Sequence, residues 1–212
     1  KNCLSYDDVL LEPKYSDIRS RSEIDISSDL GVGVELSLPI IASPMDTIAE
    51  SGMAVAMAKQ GGAAIIHRYN SIEEQIRQVK MAYAYSNTTS SRDLMIGAAV
   101  GVSDDFIERA IMLNKEFVNF ICVDVAHGHH ILMKEALSRL RAALGEDVHI
   151  MAGNVATLEG INDLADWGAD SIRVGVGGGS ICSTRIQTGH GVPTLQSVFD
   201  CSLSDRDAKL IA

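Results

Sequence analysis

VNFICVDVAHGHHILMKEALSRLRAALGEDVHIMAGN, residues 118–154, decides the fold. Its two ends, VNFICVD (118–124) and VHIMAGN (148–154), are nearly continuous apolar runs. Runs of that kind suit parallel strands covered on both faces. Between them Met133, Leu137, Leu140 and Leu144 recur at helical spacing, and Gly145 stands where a helix can be capped. The segment reads as strand, helix, strand.

The same rhythm extends in both directions. Further β-type runs are LPIIAS (38–43), AAIIH (63–67), LMIGAAV (94–100), DSIRVG (170–175) and KLIA (209–212). A second amphipathic stretch, SIEEQIRQVKMAY (71–83), opens with Ser71 and Glu74 spaced as a capping box. An open doubly wound sheet and a (β/α)8 barrel both fit the alternation. The barrel is favoured because polar groups and glycines follow many strands rather than one. Ser43, Met45 and Asp46 follow the first run, and His67 and Arg68 close the second. Asp124, Gly153, Asn154, Arg173 and Gly175 end later ones. In a closed barrel these ends converge on one face, where barrel enzymes keep their sites. A full barrel takes about 250 residues. The 212 residues here reach six strands and the start of a seventh, so the expectation is an incomplete (β/α)8 TIM barrel forming one catalytic domain over 1–212.

Bulk properties narrow the partners. Apolar residues make up 46%, which excludes a disordered chain. The 18 basic against 28 acidic residues give a formal charge of −10, which argues against nucleic acid or an acidic membrane surface. No apolar run approaches the roughly 18 residues of a membrane span, and the start lacks a signal-peptide core. Cys3, Cys122, Cys182 and Cys201 show neither metal-type nor disulfide-type spacing. A soluble cytoplasmic protein is expected.

The most chemical stretch is GVGGGSICSTRIQTGHG (175–191). Amides of Gly177, Gly178, Gly179 and Ser180 could form an anion-binding concavity around a Cys182 nucleophile, with Ser183, Thr184 and Arg185 adding hydroxyls and a charge. The competing reading is a flexible loop with an incidental cysteine. Cys122, inside FICVD, reads as core. His127, His129 and His130 lack the spacing of a helical zinc site and read as a turn from strand into helix. Asp124 needs hydrogen bonds at a buried strand end and could accept them from ribose hydroxyls. Asn154 reads equally as a helix cap or an amide donor to a heterocycle. Met45 is either core or a polarizable surface for a flat ring. Arg173 points into the mouth or outward.

Taken together, SPMDT (43–47), AHGH (126–129), AGNVAT (152–157), VGVGGGSICSTR (174–185), TGHGVP (188–193) and the entry segment YDDVLLEPKYS (6–16) resemble the IMP dehydrogenase and GMP reductase family. The match runs in order along nearly the whole chain. The resemblance implies a barrel that assembles as a homotetramer. It implies that Cys182 attacks C2 of the purine of IMP or GMP, with Thr184 assisting. By position Ser180 holds the 5′-phosphate, while Ser43 and Met45 line the nucleotide pocket. Asn154 and Arg173 lie near base and nicotinamide. Asp124 and Gly175 belong to the cofactor site for NAD or NADP. In the dehydrogenase branch the carbonyls of Gly177, Gly179 and Cys182 ligate a potassium ion.

SPMDT, SIEEQ, GAAVGV, AHGH and NVAT favour the dehydrogenase; SRSEID (20–25), NFICVDVA (119–126) and HRY (67–69) look more like the reductase. Only residues 68–93 separate the second and third strands, which leaves no room for a regulatory CBS insert. Arg68 stands where the family usually has lysine or another residue, Val125 replaces a serine that contacts cofactor in many dehydrogenases, and Gly178 replaces a common proline, a change expected to loosen the loop. The preferred reading is an IMP dehydrogenase. The alternatives are a GMP reductase and a catalytically silent nucleotide-binding or assembly subunit.

Overall fold

The computed structural model describes residues 3–85, 94–180 and 182–212. Seven parallel strands follow one another in sheet order: β3 (Ile41–Ala42), β4 (Ala63–Ile66), β5 (Met95–Val100), β6 (Phe120–Asp124), β7 (His149–Val155), β8 (Ser171–Val174) and β9 (Lys209–Ile211). Every strand expected from the apolar runs is present. Six helices alternate with them: α1 (Ser51–Lys59), α2 (Ile72–Tyr85), α3 (Phe106–Lys115), α4 (Ile131–Leu144), α5 (Leu158–Asp166) and α7 (Thr194–Cys201). A short α6 (Thr184–Thr188) precedes α7 in the last connection. The sheet is an incomplete (β/α)8 barrel whose first and last strands, β3 and β9, are not paired with each other. Among the described residues no helix is long and apolar enough to cross a membrane.

Side-chain alternation sorts the strands into two cores. Ala64 and Ile66, Ile121 and Val123, Ile150 and Ala152, and Ile172 pack outward with the helices. Met133, Leu137 and Leu140 of α4 meet them, as the helical spacing requires. The inward set is smaller: Ala63, Ile65, Ala99, Phe120, Cys122 and Met151. Phe120 fills the interior so closely that a Cβ at Gly97 would lie 2.1 Å from its ring. Gly97 therefore has a packing reason to be glycine.

The sequence reading found no element before residue 38, yet a hairpin of β1 (Ser28–Asp29) and β2 (Glu35–Leu36) closes the floor of the barrel. Its Leu30, Val34 and Leu36 join the inward core. Buried His149 ties it down, with Nδ1 3.0 Å from the Gly31 carbonyl and Nε2 2.8 Å from Ser171 Oγ. Because a carbonyl only accepts, Nδ1 carries the proton and Nε2 accepts from the Ser171 hydroxyl.

One local expectation changes. Ser71 Oγ accepts the Glu74 N–H at 3.2 Å, which is half of a capping box. The Glu74 carboxylate turns instead to Arg77, 2.6 Å away, and to Gln78. An arginine at i+3 offers a charged fork that a lone backbone N–H cannot match. At the other helix end Gly145 caps α4 at φ +80°, as its position suggests.

Candidate functional site at the barrel mouth

Strand register builds the mouth. Asp124 pairs laterally with Gly153, and Gly153 with Arg173, so the three form one row across β6, β7 and β8. All three face inward, two residues above Cys122, Met151 and Ser171 in their strands. Neighbouring strands lie about 4.8 Å apart, so Arg173 must span two spacings to reach Asp124. Gly153 makes this possible, because a Cβ there would sit 2.7 Å from Arg173 Cβ. Arg173 Nη1 then donates to Asp124 Oδ1 at 2.5 Å, and Nη2 donates to Ser43 Oγ at 3.2 Å. One guanidinium thus links β8, β6 and the end of β3. Arg173 points into the mouth, which resolves its two sequence readings. Both members of the pair are mostly shielded, with side chains 12% and 18% exposed.

Asn154 does not cap a helix: its Nδ2 gives a 2.9 Å hydrogen bond to the Gly175 carbonyl. The helix cap falls instead to Thr157, whose hydroxyl accepts the Gly160 N–H at 3.1 Å. Ser43, Asn154 and Arg173 share a cavity of about 90 Å³ floored by Ile41, Ile65 and Met151. Met45 is half-buried and belongs to neither core cluster. Gly175 continues from β8, its N–H donating to the Val155 carbonyl at 2.7 Å.

Cys182 lies in the loop after β8, half-buried, with its thiol pKa held below the ordinary value. The Thr184 hydroxyl is the largest cause and the Thr184 N–H the next. Slight burial opposes them, and the Gly177 N–H and the Arg185 charge help. The glycine-loop concavity therefore serves the sulfur through Gly177. Ser180 is exposed. Cys122 is the opposite case, fully buried with its thiol pushed up to about 11 by desolvation. Its core reading holds. Gly178 packs against α7: a Cβ there would lie 2.1 Å from Thr194 Oγ1, so a larger residue needs that hydroxyl to turn away.

The histidine run is a turn into α4. His130 caps the helix by accepting the Leu132 N–H at 3.1 Å, and His129 Nε2 lies 2.8 Å from Asp163. Among the described residues no group of three His, Cys, Asp or Glu side chains could hold a metal ion.

A family model described as the IMP dehydrogenase / GMP reductase domain matches residues 3–212. The chain belongs to the IMP dehydrogenase/GMP reductase family. It is 36% identical to an inosine-5′-monophosphate dehydrogenase of Cryptosporidium parvum, over 94% of this chain and 58% of that protein. It is 35% identical to a GMP reductase of Shewanella halifaxensis, over 94% of this chain and 57% of that one. A crystal structure of a GMP reductase variant from Trypanosoma brucei superposes with a TM-score of 0.87 at 26% identity, covering 95% of this chain and 74% of that one. The chain thus spans less than two thirds of the length of these two curated relatives.

Two groups implied by the IMP dehydrogenase/GMP reductase family can be tested against the residues. A nicotinamide cofactor needs polar partners for its ribose, and the Asp124 edge offers them. Arg68 Nη2 reaches the Asp124 carbonyl at 3.3 Å, while Arg68 Nε is buried with no hydrogen-bond partner among the described residues. Gly101 leaves the guanidinium room, as a Cβ there would stand 3.3 Å from Arg68 Nη1. The Asp124 carboxylate, with one oxygen on Arg173, keeps a second oxygen that could accept from a ribose hydroxyl. At Gly177 and Gly179, two of the three expected carbonyls, potassium does not fit. Arg185 Nη1 donates to the Gly177 carbonyl and, at 3.2 Å, to the Gly179 carbonyl. Gly179 O also accepts the Cys182 N–H at 3.1 Å, so both its lone pairs are used. In the sequence Arg185 is legible only as a charge near Cys182. Its spacing from Gly177 and Gly179 gave no sign that it folds back onto them.

Proposed function

We propose that this chain carries the nucleophile and much of the nucleotide pocket of a purine-nucleotide oxidoreductase, in which the Cys182 sulfur attacks C2 of a 6-oxopurine ring. The feature that carries this reading is the place of Cys182, half-buried in the glycine loop just beyond β8, where the Thr184 hydroxyl and N–H favour its thiolate. Thiolate, not thiol, is the attacking species, so a group that stabilises it raises the reactive fraction at neutral pH.

The first reading is IMP dehydrogenase. The Cys182 thiolate adds to C2 of IMP and makes that carbon tetrahedral. The bound NAD supplies the acceptor for the hydride that leaves C2. Water then hydrolyses the Cys182–C2 thioimidate, releasing XMP and the free thiol. Thr184 holds the sulfur as thiolate before attack and receives it again on release. Ser180 and the neighbouring amides hold the 5′-phosphate, and Met45 lies against the base with Ser43 at the pocket wall. Arg173 fixes Asp124 so that its remaining oxygen accepts from the cofactor ribose, and Asn154 holds Gly175 in place.

A second reading is GMP reductase, favoured by the absence of a fitting potassium site at Gly177 and Gly179. There the same thiolate would add to C2 of GMP, the amino group would take up a proton and leave as ammonia, and bound NADPH would supply a hydride to C2, whereupon the Cys182–C2 bond would break to release IMP and the thiolate.

The test is to incubate the intact protein with IMP and NAD, and separately with GMP and NADPH. A purine adduct on the Cys182 peptide is expected by mass spectrometry, with turnover in one pair only. Cys182→Ala should lower turnover at least about a thousandfold, as for other covalent nucleophiles. Full turnover in that variant, or no adduct in either pair, overturns the reading.

A further inference from the structure

Arg185 is the group whose placement the proposed chemistry leaves unused. Its side chain leaves the first turn of α6 and folds back over the glycine loop. The stem is pinned between two glycines, as Cβ atoms built at Gly177 and Gly191 would lie 3.3 Å and 3.6 Å from Arg185 Cβ. The return segment is held by the Val192 N–H on the Val176 carbonyl at 3.0 Å. The turn of α6 is closed by the Gly189 N–H on the Arg185 carbonyl, also at 3.0 Å. Backbone therefore fixes both sides of the stem, and the head reaches the Gly177 and Gly179 carbonyls from there.

A ring of backbone carbonyls is the usual protein cradle for a dehydrated potassium ion. A guanidinium offers the same positive charge, never deprotonates, and satisfies the carbonyls by donating hydrogen bonds. We propose that Arg185 is a built-in replacement for a monovalent cation, holding the Gly177–Cys182 loop in its reactive shape so that the protein needs no potassium. Arg185 is a positioning residue, since it acts on the sulfur through Gly177 and Gly179. The inference rests on the Cys182 reading only for its meaning in catalysis. Loop order and cation dependence can be measured without any purine.

The experiment uses the intact protein with the exposed Cys3 changed to serine. The rate of Cys182 alkylation by iodoacetamide is measured at one neutral pH in potassium, sodium or choline chloride of equal ionic strength. The thermal midpoint is measured alongside, and turnover with whichever nucleotide pair is active. For the parent protein, all three salts should give rates within about twofold. Arg185→Ala should alkylate about tenfold more slowly in choline, a one-unit change in effective thiol stabilisation, and potassium should restore most of the loss. Arg185→Lys, which keeps the charge on a shorter stem, should fall between. A parent protein that slows several-fold without potassium overturns the proposal. So does an Arg185→Ala protein that matches the parent in choline, or a loss that no monovalent cation restores, because a site vacated by a stand-in must accept the ion. If Arg185→Ala unfolds, the salt series on the parent and on Arg185→Lys decides alone. Should Cys182→Ala keep its turnover, the covalent mechanism fails while this cation result stands on alkylation.

Discussion

The floor and the mouth of the barrel are built by the same three strands, yet they treat polar groups in opposite ways. At the floor His149 is fully buried, and both ring nitrogens are matched, one by a hairpin carbonyl and one by Ser171. Phe120 seals the space beside it, its ring edge-on to the imidazole at 6.1 Å. At the mouth the Arg173–Asp124 pair is matched, but Arg68 Nε is buried without a hydrogen-bond partner among the described residues and the Cys182 thiol is half open to solvent. The floor is complete by itself. The mouth is held in shape and left unfinished. That is the division between the N-terminal and C-terminal faces expected of a barrel enzyme, here traceable to individual hydrogen bonds.

The largest expected effect breaks the floor. Phe120→Ala removes a fully buried ring against Gly97 and should cost about 4 kcal/mol of stability in urea unfolding. The Cys182 alkylation rate of the folded variant should be unchanged. A cost below about 1 kcal/mol would mean that the hairpin, rather than the ring, holds the floor.

Next comes the mouth. Arg173→Met leaves the Asp124 carboxylate largely shielded with no counter-charge, which should cost about 3 kcal/mol. Adding Asp124→Asn should recover a large part of it, since the stranded charge is then gone. Turnover should stay low in both proteins. If the double variant is no more stable than Arg173→Met, the pair is not what stabilises this row, and the contrast with the floor weakens.

These experiments fall on features of unequal legibility in the sequence. The seven parallel strands could be read because runs such as AAIIH and FICVD are apolar on both faces. The clustering of polar groups after the strands then indicated a barrel. Cys182, Asp124, Asn154 and Arg173 could be named for the same reason. The row joining Asp124, Gly153 and Arg173 could not, because it depends on register, and single-sequence patterns fix the face of a residue but not its lateral neighbour. The floor hairpin escaped because its strands are two residues each, too short for a period to show. Arg185 escaped for a different reason: a long side chain can turn toward solvent or fold back, and only the glycine packing around its stem selects the second.

The gentlest test changes only the pH and again separates the two ends. Burial holds the His149 pKa below its ordinary 6.5, against the pull of the Gly31 carbonyl and of Asp170 and Asp29, with Arg141 adding to the depression. The unfolded chain therefore takes up a proton at this site before the folded one does. Stability from this group is fully present above pH 6.5 and falls as pH drops from there toward the folded value. Carboxylates with lowered pKa values, such as Asp166 and Glu74, begin to lose their contribution only nearer their ordinary 3.8 and 4.5. Between about pH 6.5 and pH 5 the slope should thus carry a histidine contribution that His149→Gln removes. Reduced slope in His149→Gln, with the Cys182 alkylation profile unmoved, would keep the floor's titration independent of the mouth. An equal slope in both proteins would show that the buried imidazole contributes nothing to acid sensitivity, and the floor would then be held by packing alone.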